Sequence, residues 1–183
     1  MDEAQLLQRA RSWDMEALGE IYDHYSPLLY RYAVRLLGDQ DLAEDCVAET
    51  FSRFLQALRK GKGPERHLKA YLFRVAHNWI TDRFRRQPLE EALEDHSVHL
   101  ADQGPAPDEV AEMRWRQEQV RAMLRQLTPD QRQVVVLRFL EGWSLAEVAA
   151  AMEKPVGAVK ALQHRALAAL RRLMEAEGQR VSL

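Results

Sequence analysis

The chain has 183 residues, of which 46% are hydrophobic and 30% charged, a composition typical of a folded globular protein. Its length fits one domain or two small ones. No apolar run approaches a membrane span, and the start, MDEAQLLQRARSW, lacks the basic and apolar regions of a secretion signal. The single cysteine, Cys46, excludes an internal disulfide and a CxxC-type zinc site. We therefore expect a cytoplasmic protein with no membrane insertion.

The net charge of −2 conceals alternating blocks of charge. Residues 39–49 carry five acidic residues and no basic one, whereas residues 59–86 carry nine basic residues and two acidic ones. Residues 87–112 carry eight acidic residues and no basic one, and residues 154–172 carry five basic residues and no acidic one. A single charge run is often only a solvated face. Two separate basic segments on predicted helices indicate two contacts with a polyanion.

The first half of the chain has apolar residues spaced by three and four, the pattern of amphipathic helices. One helical stretch is predicted over 15–37, where Pro27 implies either two helices or a kink. A second helix begins with Asp39 or Asp41 as its N-cap. A third helix is predicted over 66–86, after a break that contains glycine and proline.

A change of composition divides the chain. The stretch 87–109 holds three prolines, a glycine and a high density of acidic residues, without a sustained hydrophobic period, and it predicts a linker at 89–107. The linker separates an N-terminal domain, 1–88, from a C-terminal domain, 108–183. Since no alternating strand pattern is present, the predicted fold is all-α, with two small helical domains joined by an acidic linker.

The C-terminal domain contains two capping boxes, one formed by Thr128 with Gln131 and one by Ser144 with Glu147. Together with the hydrophobic periodicity they predict helices over 108–127, 129–140, 144–152 and 155–174. The short third helix, the tight turn EKPV and the long last helix have the lengths of a helix-turn-helix, which places its second helix in the major groove of DNA.

The last helix has an apolar face formed by Val159, Leu162, Ala166, Leu170 and Leu173. Its opposite face presents Lys160, Ala161, His164, Arg165, Ala168 and Arg171. Basic side chains suit phosphates, and small side chains let a helix approach the base edges. A three-helix core with a solvated basic face would show the same stripe. The capping boxes and the turn spacing favour the DNA-reading interpretation.

The helix 68–86 carries a second polar stripe, formed by Tyr71, Arg74, Asn78 and Arg85. The loop before it supplies Lys60, Lys62, Arg66 and His67. A basic loop beside a helix that carries an aromatic ring, an amide and arginines suits single-stranded DNA, either on a stacking surface or in a pocket for one flipped base. The aromatic residues Phe73 and Trp79 are interpreted as core residues.

Three stretches resemble one known family. DLAEDCVAETFSRF resembles the core-binding helix DAEDLVQETF of the extracytoplasmic-function (ECF) sigma factors, the two-domain group of the sigma-70 family of bacterial RNA polymerase subunits. YLFRVAHNWITDRFRR resembles the family helix WLYRIARNxxxDxxRR. The segment from LTPDQ to ALRRL, residues 127–173, resembles family region four. The motifs cover about three quarters of the chain, in the family's order and with the linker between them.

The resemblance implies an RNA polymerase sigma factor with promoter DNA and core polymerase as partners. It implies that acidic residues dock on the clamp helices of the largest polymerase subunit: Asp41, Glu44, Asp45 and Glu49. It implies capture of the minus-ten non-template strand by Lys60, Lys62, Arg66, His67, Lys69, Tyr71, Arg74, Asn78 and Arg85. It implies reading of the minus-thirty-five duplex by Pro155, Val156, Lys160, Ala161, Gln163, His164, Arg165 and Arg171. From its helical angle, Gln163 faces either DNA or the core.

The resemblance further implies contact with the polymerase flap region, a linker threaded through a positively charged polymerase channel and an anti-sigma factor as partner. It implies no catalytic residue, metal or cofactor. The chain departs from the family pattern at several positions. Ala48 replaces a glutamine, Glu153 replaces the turn glycine, and Leu167 stands where arginine is common. The loss of basic residues predicts fewer phosphate contacts and a weaker salt dependence of DNA binding.

Three other interpretations remain open from the sequence. The chain could be a stand-alone helix-turn-helix transcription regulator, which would bind duplex DNA without polymerase. The pair His96 and His99, beside acidic residues, could hold a metal, although a flexible linker without supporting contacts disfavours such a site. Cys46 is interpreted as a buried apolar residue, with a redox switch as the alternative.

Overall fold

The computed structural model describes residues 2–87 and 108–181, and both ranges are helical. The N-terminal domain consists of α1 (Glu3–Arg11), α2 (Met15–Leu37), α3 (Gln40–Arg59) and α4 (Leu68–Arg86). The C-terminal domain consists of α5 (Asp108–Gln126), α6 (Pro129–Val135) with a π-helical turn (Val136–Leu140), α7 (Leu145–Met152) and α8 (Val156–Val181). The predicted linker with His96 and His99 lies outside the described residues.

The helices of the N-terminal domain begin where side chains can cap them. The Asp14 carboxylate accepts hydrogen bonds from the backbone N–H groups of Glu16 and Ala17 at the start of α2. Asp39, rather than Asp41, caps α3, because its Oδ1 accepts the Leu42 N–H at 2.9 Å. Helix α1 is a helix that the sequence analysis did not assign.

Helix α2 runs unbroken through Pro27, so the two-helix alternative for residues 15–37 is wrong. Pro27 lacks an N–H, which leaves the Asp23 carbonyl without its usual intrahelical partner. Both residues are exposed, and water can satisfy that carbonyl. The cost of an internal proline is therefore small compared with the burial of the opposite face of α2, where Ile21, Leu29 and Ala33 are inaccessible to solvent.

The helix-turn-helix is confirmed in detail. Both capping boxes form, and the turn between α7 and α8 passes through Glu153 in the left-handed conformation, with φ of 52°. Ala149 and Val159 are buried where the two helices meet. Two boundaries differ from the prediction: the last turns of 129–140 widen into a π-helix, and α8 continues to Val181 instead of ending near residue 174.

The two domains pack against each other, and their buried residues form one continuous hydrophobic cluster. The rings of Phe73 in α4 and Trp143 before α7 lie 4.8 Å apart in an edge-on arrangement. The Glu141 side chain is only 2% exposed and binds Arg31 and Arg35 of α2. As a result α4, which carries the predicted single-strand site, faces α7 of the helix-turn-helix domain.

Candidate nucleic-acid interface

The predicted single-strand site centres on a pocket of about 450 Å³ beside the basic loop. Five of the nine predicted residues line it: Lys62, Arg66, His67, Tyr71 and Arg74. The Tyr71 ring lies 5.4 Å from the guanidinium carbon of Arg74, and partial burial raises the pKa of its hydroxyl. An aromatic surface next to several cationic groups can stack a base and hold its phosphate.

The other four predicted residues lie outside the pocket lining. Lys60 is exposed at the end of α3, and Asn78 and Arg85 are exposed further along α4, where Arg85 pairs with Asp82 at 3.6 Å. The ammonium group of Lys69 lies 4.2 Å from the centre of the Trp143 ring, so this lysine points towards the C-terminal domain. The assigned core residue Phe73 is buried, and Trp79 is half-buried.

The start of α4 is held by a residue that the sequence analysis missed. His67, the N-cap, adopts a left-handed backbone with φ of 56° and makes no side-chain cap. Instead, the carboxylate of Glu3 accepts hydrogen bonds from the N–H groups of Leu68 at 3.1 Å and Lys69 at 3.4 Å. It also accepts the Tyr25 hydroxyl at 2.9 Å. The uncapped start of α4 was a signal that a distant acceptor was needed.

The predicted duplex-reading face of α8 is exposed to solvent. Its exposed members are Pro155, Val156, Lys160, Ala161, His164, Arg165 and Arg171. Val159 and Ala166 on the opposite side are fully buried, which fixes the rotation of the helix. Gln163 is half-buried, and its side-chain oxygen accepts a hydrogen bond from Arg138 at 3.3 Å. Gln163 is thus tied to its own domain, at the edge of the exposed face.

The predicted polymerase-binding acids lie along α3. Asp41, Glu44 and Asp45 are exposed, whereas Glu49 is half-buried and pairs with Arg53 at 2.7 Å. Glu44 and Ala48 also line a surface groove of about 540 Å³. The groove is completed by α2 and α3 residues that the sequence analysis did not assign to a binding surface: Tyr22, Ser26, Pro27, Tyr30 and Val47. An apolar groove with an acidic rim can receive a basic amphipathic segment of a partner.

Two family models match the chain in sequence order. The Sigma-70 region 2 model matches residues 21–88, and the Sigma-70, region 4 model matches residues 117–170. The ECF RNA polymerase sigma factor SigX of Bacillus subtilis is 32% identical over 160 residues, which cover 85% of this chain and 82% of SigX. This chain belongs to the ECF sigma factors of the sigma-70 family. Most of α2, together with α3 and α4, lies in the region 2 match, and the region 4 match runs from the middle of α5 to the middle of α8.

One further relative and two solved structures are similar to this chain. BldN of Streptomyces coelicolor, also named an ECF RNA polymerase sigma factor, is 36% identical over 176 residues, 93% of this chain and 65% of BldN. The solved structure of CnrH in complex with the cytosolic domain of CnrY is similar to this chain, with a TM-score of 0.70 and 25% sequence identity. The match covers 95% of this chain and 97% of the matched chain in that structure. A co-crystal structure of the sigma factor RpoE with the anti-sigma factor NepR from Bartonella quintana matches in fold, with a TM-score of 0.55 and 22% identity, over 86% of this chain and 96% of RpoE.

Cys46, the single cysteine of this sigma factor, is buried, and burial raises the pKa of its thiol to about 12, which favours the protonated form at neutral pH. The other candidate, the pair His96 and His99, lies outside the described residues. Within residues 2–87 and 108–181, no group of three or more His, Cys, Asp or Glu side chains is arranged to hold a metal ion. None of the helices described in those ranges is long and apolar enough to cross a membrane.

Proposed function

We propose that region two of this sigma factor captures the minus-ten non-template strand in the pocket between the basic loop and α4. The observation that carries the proposal is the convergence of Lys62, Arg66, Tyr71 and Arg74 on one pocket of about 450 Å³. The Tyr71 ring can stack a base, and the cations suit the neighbouring phosphates. Lys60, Asn78 and Arg85 extend this surface along the strand on either side.

Region four reads the minus-thirty-five element as duplex DNA. The support is that seven of its eight predicted residues share the exposed face of α8, opposite the buried Val159 and Ala166. Lys160, Arg165 and Arg171 contact phosphates, while Ala161 and His164 lie where a helix in the major groove approaches base edges. Gln163 acts at the edge of this face through the orientation that Arg138 imposes on it.

Core RNA polymerase is held mainly by the acidic face of α3. Three exposed carboxylates and the adjoining groove form one continuous surface, which suits the clamp helices of the largest polymerase subunit. Region four contacts the flap region, and an anti-sigma factor competes for both faces. The protein acts in the bacterial cytoplasm, where the polymerase is, and it contributes binding and positioning without a catalytic step, metal or cofactor of its own.

Site-specific photo-crosslinking tests these assignments. A photoreactive phenylalanine analogue is placed at Tyr71, at His164 or, as a control, at the exposed Glu175, and each variant is assembled with core polymerase on promoter DNA. We expect Tyr71 to label the non-template strand of the minus-ten element, His164 to label the minus-thirty-five duplex and Glu175 to label neither. Labelling of the template strand from Tyr71, or duplex labelling without polymerase, would contradict the assignments.

A further inference from the structure

The carboxylate of Glu3 joins α1 to the first turn of α4. One of its oxygens lies 3.1 Å from the Leu68 nitrogen, and the other lies 3.4 Å from the Lys69 nitrogen and 2.9 Å from the Tyr25 hydroxyl. Leu68 is inaccessible to solvent, so its N–H group needs an acceptor inside the protein. The Tyr25 ring is buried in the core and orients the carboxylate from the other side. Glu3 therefore fixes the place at which α4 begins.

The residue just before this turn lines the proposed minus-ten pocket in a strained conformation. His67 has φ of 56° and ψ of 52°, a left-handed backbone that a residue with a Cβ adopts at a cost. Its carbonyl oxygen accepts the N–H group of Tyr71 at 3.0 Å. Such strained residues persist only where the surrounding structure holds them. The N–H groups of the next two residues, Leu68 and Lys69, are bound to Glu3, and these bonds hold His67 in place.

Two further contacts join α1 and the turn after it to the basic loop. Arg11 pairs with Glu65 in the loop at 3.8 Å. The guanidinium carbon of Arg59, immediately before the loop, lies 5.8 Å from the centre of the Trp13 ring. Both contacts are exposed, and each is weak by itself. Together with the carboxylate of Glu3 they place contacts from the N-terminal helix and turn at the start, the middle and the end of the loop.

We propose that Glu3 is a positioning residue for the minus-ten pocket, because it fixes the junction of the basic loop and α4 from which Tyr71 and Arg74 project. The inference rests on the proposed role of that pocket. Glu3 does not contact DNA in this role and acts through His67 and the first turn of α4. A site that discriminates between ligands must be held to within about 0.5 Å by supporting contacts. Without Glu3 the junction shifts, and correct and incorrect bases are bound more alike.

The test uses the full chain assembled with core polymerase. Glu3→Ala removes the acceptor, whereas Glu3→Gln keeps one acceptor oxygen on a side chain of the same length and tests for rescue. Tyr25→Phe removes only the hydroxyl that orients Glu3 and keeps the buried ring, so it serves if Glu3→Ala does not fold. None of these substitutions changes a residue proposed to contact DNA or polymerase. Thermal melting of each variant verifies folding.

Asp39→Ala is the matched control. Asp39, like Glu3, is a half-buried carboxylate that accepts a backbone N–H group at the start of a helix, and its loss should also destabilise region two. Helix α3 has 20 residues. At about 1.5 Å per residue, its start lies roughly 30 Å from the basic loop at its other end. A general loss of stability affects both kinds of variant, whereas a shift of the loop affects only the variants at Glu3 and Tyr25.

The readout is discrimination between bases and not total activity. A promoter found by transcription competes for the polymerase complex with copies that carry one substituted base in the minus-ten or the minus-thirty-five element. For a base that is read directly, the unmodified protein should prefer the original promoter by roughly tenfold. We expect Glu3→Ala to reduce the minus-ten preference to about threefold or less and to leave the minus-thirty-five preference unchanged. Glu3→Gln should restore most of the minus-ten preference, Tyr25→Phe should reduce it less than Glu3→Ala does, and Asp39→Ala should not change it.

The outcomes separate this inference from the proposed function. An unchanged minus-ten preference in Glu3→Ala, or in Tyr25→Phe if Glu3→Ala does not fold, would overturn the positioning role even if stability falls. An equal decrease in Asp39→Ala, or in the minus-thirty-five preference, would assign the effect to lost stability and would also overturn it. A preference as low in Glu3→Gln as in Glu3→Ala would assign the effect to charge instead of position, with the same consequence.

The minus-ten role itself is judged on the unmodified protein. If Tyr71 crosslinks to the non-template strand while the Glu3 variants keep full discrimination, the inference alone is wrong. If the unmodified protein discriminates at no minus-ten base and Tyr71 fails to crosslink, both the minus-ten role and the inference are wrong.

Discussion

His77 is buried where the two domains meet and forms hydrogen bonds on both sides of its ring. Its Nε2 lies 3.1 Å from the Pro129 carbonyl oxygen and its Nδ1 lies 2.8 Å from the Tyr32 hydroxyl. A carbonyl only accepts, so Nε2 carries the proton and Nδ1 accepts from Tyr32. Burial and then the nearby charge of Arg132 lower the pKa of His77 to about 4, against smaller opposing effects of the hydrogen bond with the Pro129 carbonyl and of the charge of Asp130.

This lowered pKa predicts a loss of stability in mild acid. The unfolded chain binds a proton at His77 near pH 6.5, whereas the folded chain binds it only near pH 4, so stability is fully present above pH 6.5 and falls as the pH decreases. The contribution of His77 amounts to about 2 kcal/mol between pH 7 and pH 5. Urea unfolding at both pH values measures it. The His77→Gln variant should be less stable at pH 7 than the unmodified protein, but its unfolding free energy should decrease less between pH 7 and pH 5. An equal decrease in both proteins would contradict the lowered pKa of His77.

Glu3 provides a second prediction for a single residue. Glu3→Ala removes the acceptor for two N–H groups at the start of α4 and for the Tyr25 hydroxyl. The expected loss of unfolding free energy is about 1–3 kcal/mol, because a cap is lost and half-buried donors are left unpaired. Urea denaturation measures this, with Glu16→Ala as the matched control in an exposed ion pair. Equal effects of the two substitutions would show that Glu3 does not cap α4.

Residue-scale contacts could be predicted where the partners are close in sequence. The capping boxes of Thr128 and Ser144 could be predicted because in each box the two partners lie three positions apart in the sequence. The Glu3 cap was not, since 65 positions separate Glu3 from Leu68. Glu153 was recognised as standing where the family has a turn glycine, and in the structure its backbone is left-handed. Its ion pair with Arg74 depends on domain packing and left no local pattern.

At the scale of elements, hydrophobic periodicity predicted most of the helices and the rotation of α8. Its buried Val159 and Ala166 and its exposed basic face follow directly from a period of 3.6 residues. Hydrophobic periodicity predicted structure less well where a proline could interrupt a helix. It could not decide between a break and a continuous helix at Pro27, because the outcome depends on whether the freed carbonyl faces solvent.

Helix α8 provides a prediction on promoter use. Replacement of both Lys160 and His164 with alanine should weaken the dependence of transcription on the minus-thirty-five element by roughly 1–3 kcal/mol through the lost base-edge contact of His164, and the lost phosphate contact of Lys160 should weaken duplex binding uniformly across sequences. Both side chains are exposed, so the fold should remain intact. Transcription from promoters with and without the upstream element measures the change, and Glu175→Ala is the control on the same helix. Unchanged dependence would show that another face reads this element.

Helix α3 provides a prediction on polymerase binding. The double substitution Glu44→Lys with Asp45→Lys reverses two exposed charges on the proposed docking face and should weaken binding to core polymerase by about tenfold or more. Equilibrium binding of labelled protein to core polymerase at several salt concentrations measures the effect. The control Glu175→Lys changes one exposed charge on α8 instead of α3 and should leave affinity unchanged. A similar loss of affinity from the control would indicate a non-specific charge effect.

At the scale of the whole molecule, the sequence predicted the two domains and their order but not their contact. The interface joins Arg31 to Glu141 and Phe73 to Trp143, pairs separated by long stretches of chain. In the sequence alone, the charged residues of these pairs would be interpreted as solvated surface residues and the aromatic residues as core residues. The packing of the two domains depends on complementary charge and shape across them, and a single sequence carries no direct signal for that.

Run-off transcription tests the central claim most directly. Purified core RNA polymerase is combined with this protein on a pool of genomic fragments, and duplex binding by the protein alone is measured in parallel. We expect specific initiation only when both polymerase and protein are present, with little duplex binding by the free protein. Tight duplex binding without polymerase, together with no initiation in its presence, would contradict sigma factor activity and would favour a stand-alone regulator.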